Sequence, residues 1–495
     1  MKTIIERVYK VIIYTLIIFM LLFININNFI QENIWSIVKL LASVLIFIGI
    51  LVIINKKIIN KLSEKALKII IYILLIILLI LECLSTYYFR VKFNWDVKDI
   101  MDTAISMAQN GEVINGGYFK AFPNNIAALA MFFIAMKICL NKVAGAYILN
   151  ILLVFVTGIF TIKSANELGG RKLSVNAAVL LVMFAPFYLY CPILYTDTLS
   201  VLFPILTFYL WLKSKKIEDI RKKKLYYVGM TIASFIGFCI KPVTAIVLIA
   251  VIIDEILMCK KQFKMITISI ILFIILNSLY GFLINKIVIR DVKHNDTVYP
   301  YTHWVMMGLN KPNSEGGTSI GWGAYSPEDV ETTENQTTYN EKVTKNIEVI
   351  KQRLEDFGIK GYISFLINKL KYIWNDSTFY VFNKIGWDTI NKASLPYEYV
   401  LGEKSEDILK PFIKIYYSTI MIMVLGTVIT SIKSEEKEEI RILILSILGI
   451  TIFLLLWEAR SRYVYSLIPI LIILASISLK EKTMMDNNGN ISNKN

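Results

Sequence analysis

Histidine is nearly absent from this chain. Its 2 histidines, His294 and His303, are too few for a histidine-built metal centre. Cysteine is sparse as well. The 5 cysteines, Cys83, Cys139, Cys191, Cys239 and Cys259, lie in or beside apolar runs without CxxC spacing, so neither a disulfide framework nor a zinc site is indicated. Charge is thin, at 18% of residues against 56% hydrophobic. No soluble domain of 495 residues needs that much apolar surface, and the apolar residues run on rather than alternating, which argues against a β-barrel. A cleavable leader is not expected either. The run Val8–Ile24 follows Lys2, Arg7 and Lys10, yet no small-residue cleavage site comes after it, so it is kept as an anchor helix.

What remains is a set of apolar runs close to the length of a bilayer crossing, and the fold class they imply is an all-α polytopic membrane protein. The net charge of +15 is accounted for by Lys and Arg in short loops between runs. No basic domain stands apart from those loops, so nucleic acid is not an expected partner.

The positive-inside rule orients the chain. The basic N-terminus is inside, and the loop with Lys56, Lys57, Lys61, Lys65 and Lys68 is inside after spans at 8–24 and 37–54. Span three, 69–86, then delivers Asp96, Asp99 and Asp102 to the outer face. Two apolar segments follow, 122–140 and 146–162; if both crossed, the seven basic residues between Lys213 and Lys224 would lie outside. The segment 122–140 opens with Pro123-Asn124-Asn125 and is broken by Lys137, so it is read as a juxtamembrane helix lying in the outer leaflet or dipping partway into the bilayer. Further spans are placed at 146–162, 175–191, 198–212, 225–240, 243–258, 265–285, 412–432, 441–457 and 464–479. The expectation is about 12 transmembrane helices. Residues 1–285 form a membrane domain with an acidic first outer loop at 87–145, 286–411 an extracytoplasmic region, 412–480 the C-terminal membrane helices, and 481–495 a disordered cytoplasmic tail. Within the outer region Val343, Ile347, Ile350 and Leu354 mark 338–357 as an amphipathic helix. Phe365 to Trp374 reads as interfacial, with Lys369 and Lys371 snorkelling.

Four features then share the outer face: the Asp96 cluster, Asp197, Lys241 and Glu458-Ala459-Arg460-Ser461-Arg462-Tyr463. Each is out of place for an ordinary span end. Arg460 and Arg462 sit in a very short outer loop, Lys241 joins two apolar spans with almost no loop, and Asp197 lies between two apolar runs. A capping role suffices for either acid alone. Together they suggest chemistry that uses both signs. A lipid phosphate wants Lys and Arg, the latter offering two prongs to phosphate oxygens, and an acceptor hydroxyl wants a carboxylate base within hydrogen-bond reach.

In this order the residues resemble the polyprenyl-phosphate-sugar glycosyltransferases of the GT-C superfamily, above all the protein O-mannosyltransferase-like and aminoarabinose-transferase-like (family 39-like) branch. Asp96, Ala104 and Gly111 fit that branch's first-loop pattern, with Val97 in place of a second acid. Tyr118 to Asn125 resembles its aromatic and proline segment, Gly169-Gly170-Arg171-Lys172 its Gly-Arg turn, and Pro186 and Thr196-Asp197 its outer turn. Lys241-Pro242 and Arg462-Tyr463 match its later elements. The resemblance implies a GT-C-like fold, Asp96 and Asp197 as catalytic carboxylates, and Lys241, Arg460, Arg462, Tyr463 and Glu458 around a donor phosphate. It implies inversion at the sugar carbon, a multi-pass plasma-membrane protein with both termini cytoplasmic, and a cell-envelope glycan, lipid or protein as acceptor. Members differ in metal dependence, so no cofactor is assigned and a divalent metal stays open. In the outer loop, His303 and Trp322 are candidates for contact with a sugar, Trp322 by stacking within a glycine-rich cover. A lipid-linked sugar flippase or transporter, and a lipid-linked glycan polymerase or ligase, remain as alternatives.

Overall fold

The computed structural model describes residues 2–30, 33–112, 117–258, 263–284, 286, 296–386, 389–433 and 437–480. His294, Cys259 and the tail 481–495 lie outside the described residues. Among those described the chain is helical throughout, with two isolated β-bridges, Val91 to Thr389 and Pro312 to Ser319.

The first half runs α1 (Lys2–Phe29), α2 (Ile34–Lys57), α3 (Glu64–Tyr88), α4 (Trp95–Asn110), α5 (Gly117–Ala121), α6 (Ile126–Ile138), α7 (Ala144–Val182), α8 (Ala185–Leu189), α9 (Thr196–Ser200), α10 (Leu202–Lys215), α11 (Ile220–Ile240), α12 (Ile246–Leu257) and α13 (Phe263–Ile284). The intervening polar region carries α14 (Tyr301–Met307), α15 (Pro327–Glu334), α16 (Tyr339–Trp374), α17 (Val381–Gly386) and α18 (Leu395–Val400). The chain closes with α19 (Lys410–Lys433), α20 (Glu438–Leu456) and α21 (Ile468–Ser478).

Among the described residues eight helices are long and apolar enough to cross a membrane: α1, α2, α3, α7, α13, α19, α20, and α21 with the 3-10 turn before it. One of them is folded in two. Inside α7 the backbone leaves helical geometry at Gly169 (φ −154°, ψ 16°) and Gly170 (φ 74°, ψ −170°), a conformation only glycine adopts readily. The two arms then pack on each other, with Ser174 Oγ donating to the Ile162 carbonyl at 3.2 Å. The two arms of α7, and then α10, α11 and α12, fall where further spans are expected and in the expected order, although α10, α11 and α12 are not among those eight. Helix α6 has 13 residues, about 20 Å of helix. Leu140 and Asn141 turn the chain sharply after it, both at positive φ, so α6 lies against α4 and the start of α7.

Helices α1, α2, α3 and α13 leave broad apolar faces exposed, as lipid-facing helices do; Leu45, Ile46, Ile76 and Ile274 are each more than half exposed. The interior is built from α7, α10, α19, α20 and α21. At the ends of these helices far from Lys241, charge is paired. Asp254 of α12 receives Arg441 of α20 and the Tyr9 hydroxyl of α1, tying three helices together. Lys213 and Lys216 pair with Glu167, Lys215 with Glu438, and Arg171 with Glu64.

The polar region departs from two expectations. Helix α16 opens on a Thr338–Glu341 capping box, as its pattern suggests, but runs on past a break at Gly358 to Trp374. Its buried face is not the apolar stripe: Ile347 and Leu354 are exposed, while Lys342 and Asn346 are buried. Hydrogen bonds decide the orientation. Asn346 joins Thr302 and Thr333, Lys342 reaches the Asp296 carbonyl, and Arg353 forks onto Asp329. Lys369 does not snorkel. It is fully buried, and its ammonium takes the carbonyls of Gly308, Leu455 and Trp457, capping the C-terminal end of α20.

Candidate active site

The site forms where α4, α9, the α11–α12 junction, α17 and the turn before α21 meet. Asp96 is in the first turn of α4, where the helix dipole favours a carboxylate. The residue before it, Trp95, is held at φ +42°, a strained conformation for a tryptophan. This aims Asp96 inward, half-buried, to accept the Tyr195 hydroxyl at 2.6 Å on Oδ2. Asp99 and Asp102 turn out to the surface. Partial burial and the neighbouring charges of Asp96 and Asp102 raise the Asp99 carboxyl above its ordinary range, against the pull of Lys98.

Tyr195 ends the Cys191–Tyr195 turn and starts α9, and Asp197 sits in that short helix, 2% exposed. Lys241 terminates α11 in extended backbone because Pro242 follows and cannot continue the helix. Its ammonium contacts Asp197 Oδ1 and lies 4.4 Å from the centroid of the Tyr463 ring. Arg462 donates to the other oxygen of Asp197 at 3.1 Å, with its guanidinium 5.3 Å from the Tyr195 ring and 4.9 Å from Tyr463. Burial alone would raise the Asp197 carboxyl; the charges of Lys241 and Arg462 outweigh it and hold the group below the usual carboxylate range. Asp197 therefore orients the two cations, with both oxygens engaged. Arg462 keeps one N–H in reserve, since Nε has no partner among the described residues.

Three groups at the site, Lys384, Tyr380 and Asp376, are not among the residues singled out from sequence. Lys384 of α17 is buried with its ammonium 2.9 Å from the centroid of the Trp95 ring. Burial, then the positive charge of Arg462 and Arg460, pushes it down to about 5, against the pull of Asp197. Arg460 lies 4.6 Å from the ring of Tyr380, and Phe379 and Tyr380 are both at positive φ. Asp376 holds that bend: it accepts the Tyr380 N–H at 2.7 Å and the Ser461 hydroxyl at 2.6 Å, joining the bend to the Arg460–Arg462 turn. An isolated lysine inside the apolar Val381–Gly386 stretch was the available signal for Lys384.

Of the expected site residues, the structure brings together Asp96, Asp197, Lys241, Arg460, Arg462 and Tyr463. Glu458 is an electrostatic neighbour of Lys241 and Tyr463. His303 and Trp322 belong to the polar region instead. His303 is buried with Nδ1 2.8 Å from the Thr333 hydroxyl, and burial and Lys342 push it down to about 3. Trp322 packs against Phe365. The loop that holds it touches the site through its backbone, where Ala459 N–H donates to the Gly323 carbonyl at 2.7 Å. Tyr325, in the same loop, is within electrostatic reach of Asp96 and Glu458. Among the described residues no group of three or more His, Cys, Asp or Glu is arranged to hold a metal ion.

The profile of one protein family, described as "Conserved hypothetical integral membrane protein", matches residues 1–483. No curated protein matches the chain by sequence. Among solved structures, ArnT from Cupriavidus metallidurans bound to undecaprenyl phosphate is similar at 9% identity and a TM-score of 0.37, covering 84% of this chain and 78% of that one. The apo state of the same protein is similar at 11% identity and a TM-score of 0.39, covering 82% and 76%.

Proposed function

The chain belongs to this family of integral membrane proteins, and we propose that it is an inverting glycosyltransferase moving a monosaccharide from a polyprenyl-phosphate donor to an acceptor hydroxyl at the extracytoplasmic face of the plasma membrane. The acceptor hydroxyl oxygen bonds to the anomeric carbon as the carbon–oxygen bond to phosphate breaks. Polyprenyl phosphate leaves with the electron pair, and the hydroxyl proton passes to Asp96. Arg462, Lys241 and Arg460 receive the phosphate, and Asp197 fixes the first two in place. Lys384 lies between the two halves of the site.

The observation that carries this reading is the position of Tyr195. Its hydroxyl bonds the Asp96 carboxylate and its ring lies against the Arg462 guanidinium. A group that could take a proton and a group that could bind phosphate are thus one tyrosine side chain apart, about the span of one sugar. The unpaired Nε–H of Arg462 is a donor without work until an anion arrives. Basic side chains concentrate at the opposite helix ends, from Arg171 to Lys216, which supports a cytoplasmic location for those ends.

The test is purified protein in liposomes with labelled polyprenyl-phosphate monosaccharides of several sugars and a mixed envelope-lipid and glycan acceptor fraction. Release of polyprenyl phosphate by the wild type, lost in Asp96→Asn while donor binding persists, is the expected result; general-base loss costs about 10²–10⁴-fold in rate. Movement of intact donor between leaflets at an unchanged rate in Asp96→Asn would establish a flippase instead. Turnover only with donors carrying a whole glycan chain would establish a polymerase or ligase.

A further inference from the structure

Behind the turn that presents Tyr195 and Asp197, the bundle encloses oxygen atoms that bind nothing. Glu82 of α3 is fully buried, and neither Oε1 nor Oε2 has a hydrogen-bond partner among the described residues. One turn further on, Ser85 and Thr86 are buried with their hydroxyls equally unpartnered. Helix α3 and the first arm of α7 run antiparallel: Arg171 pairs with Glu64 just past the glycine turn, and Leu78 packs where a Cβ on Gly158 would lie 2.7 Å from its Cδ2. That register sets Ser85 and Thr86 level with Asn150 and Glu82 one turn away on the same face, level with Val154. The Asn150 amide nitrogen donates to the carbonyls of Cys191 at 2.9 Å and Ile193 at 2.8 Å. Those two bonds settle which way the amide points, so Oδ1 faces the other way, buried and without a partner. Glu82 is an electrostatic neighbour of Cys191, the same residue whose carbonyl Asn150 holds.

The group comprises two carboxylate oxygens, two hydroxyls and one amide oxygen, with no cationic side chain paired to it among the described residues. Buried polar atoms in native proteins have partners, and a cluster of unpaired acceptors indicates something that supplies positive charge. The donors are hard oxygens, with one formal charge when Glu82 is ionised. Divalent cations draw on several carboxylates or keep a full shell of water, whereas a single carboxylate with neutral oxygens balances a monovalent ion.

We propose that Glu82, Ser85, Thr86 and Asn150 form a binding site for a monovalent metal cation, Na⁺ or K⁺, inside the helix bundle. Through Asn150 the ion braces the Cys191–Ile193 carbonyls, and hence the turn on which Tyr195 and Asp197 are mounted. The assignment stands whether or not the protein transfers sugars.

The experiment uses the full chain in detergent, exchanged into choline chloride. Thermal unfolding is followed by tryptophan fluorescence as NaCl or KCl replaces choline at constant ionic strength, up to about 300 mM, since a ligand bound only to the folded state raises Tm in a saturable way. The expected result is a saturating rise of several degrees with one of the two ions, abolished in Glu82→Gln. Should Glu82→Gln fail to fold, Ser85→Ala and Thr86→Val keep the fold and move the half-saturating concentration upward several-fold. Equal Tm in choline, sodium and potassium overturns the proposal and leaves a protonated Glu82 with internal water. A rise of the same size in Glu82→Gln overturns it as well, as a general salt effect.

Discussion

Replacing Asp197 by asparagine removes one charge and strands two. The carboxylate is 1% exposed at the side chain, with Arg462 Nη1 3.1 Å from one oxygen and Lys241 against the other. At an effective dielectric constant of about 20, unit charges at the Arg462 distance attract by about 5 kcal/mol. Desolvating the three groups on folding consumes much of this, so the gross attraction is not the expected loss. Removing one member of a buried ion pair costs about 3–5 kcal/mol, because the partner remains buried without compensation. Here two cations are left facing each other, which puts Asp197→Asn at the upper part of that range.

The cause can be separated from a general weakening by a second substitution. In Asp197→Asn/Lys241→Met one stranded charge is gone, and the methionine keeps an apolar chain against the Tyr463 ring. The double variant should be more stable than Asp197→Asn alone by about 1–3 kcal/mol, a coupling of the size seen between residues in one network. Reversible unfolding in mixed micelles, read by tryptophan fluorescence, measures all four corners of the cycle. A cost below about 0.5 kcal/mol for Asp197→Asn, or additive costs for the two changes, would refute the buried three-charge arrangement.

Other outcomes follow from the same geometry. Arg462→Lys keeps the charge but loses the fork and the spare Nε–H, so affinity for polyprenyl phosphate should fall by about 1–3 kcal/mol in a binding titration. Lys384 sits near 5 when no anion is present; a bound phosphate raises it, so donor binding takes up a proton at neutral pH. Affinity should therefore weaken as pH climbs above about 5 toward the bound-state value, and calorimetry in buffers of different ionisation heat should show the uptake in wild type and not in Lys384→Met. Gly170→Ala meets no neighbouring atom yet forces alanine into glycine-only backbone, and should cost about 1–3 kcal/mol in unfolding measurements with donor binding intact. Lys369→Met strands the carbonyls of Gly308, Leu455 and Trp457 and should lower Tm, while Lys371→Met, on a half-buried side chain, leaves it nearly unchanged.

The helices were legible because a bilayer imposes one demand on every span, a long apolar run with all backbone bonds internal. Loop charge did the rest: it set 122–140 apart from the spans and asked for a reversal between 146–162 and 175–191, which the structure makes at Gly169-Gly170. In the polar region that demand lapses. There the buried face of α16 is chosen by Asn346, Lys342 and Arg353 finding partners, and a hydrophobic pattern points the wrong way. Lys369 misled for the same reason. A lysine among aromatics at an interface usually reaches for water, but here the open carbonyl end of α20 is closer and binds its ammonium three times over.

The site divides along the same line. Asp197, Lys241 and Arg462 were visible because each interrupts apolar sequence where a charge is costly, and the cheapest way to carry such charges is to pair them with one another, as they are paired. Cost of that kind can be read from a string of residues. What cannot be read is a group whose neighbours are supplied by distant chain: Lys384 becomes unusual only once Trp95 lies against it and Arg462 comes near. His303 and Trp322 fail in the opposite sense. Rare, ring-bearing and set among glycines, they have the composition of a sugar-binding loop, yet Thr333 and Phe365 already occupy them. Tyr325, from that same loop, is exposed and within electrostatic reach of both Asp96 and Glu458. If this loop contributes to sugar contact, the tyrosine is the residue placed to do it, and the indole is its packing anchor.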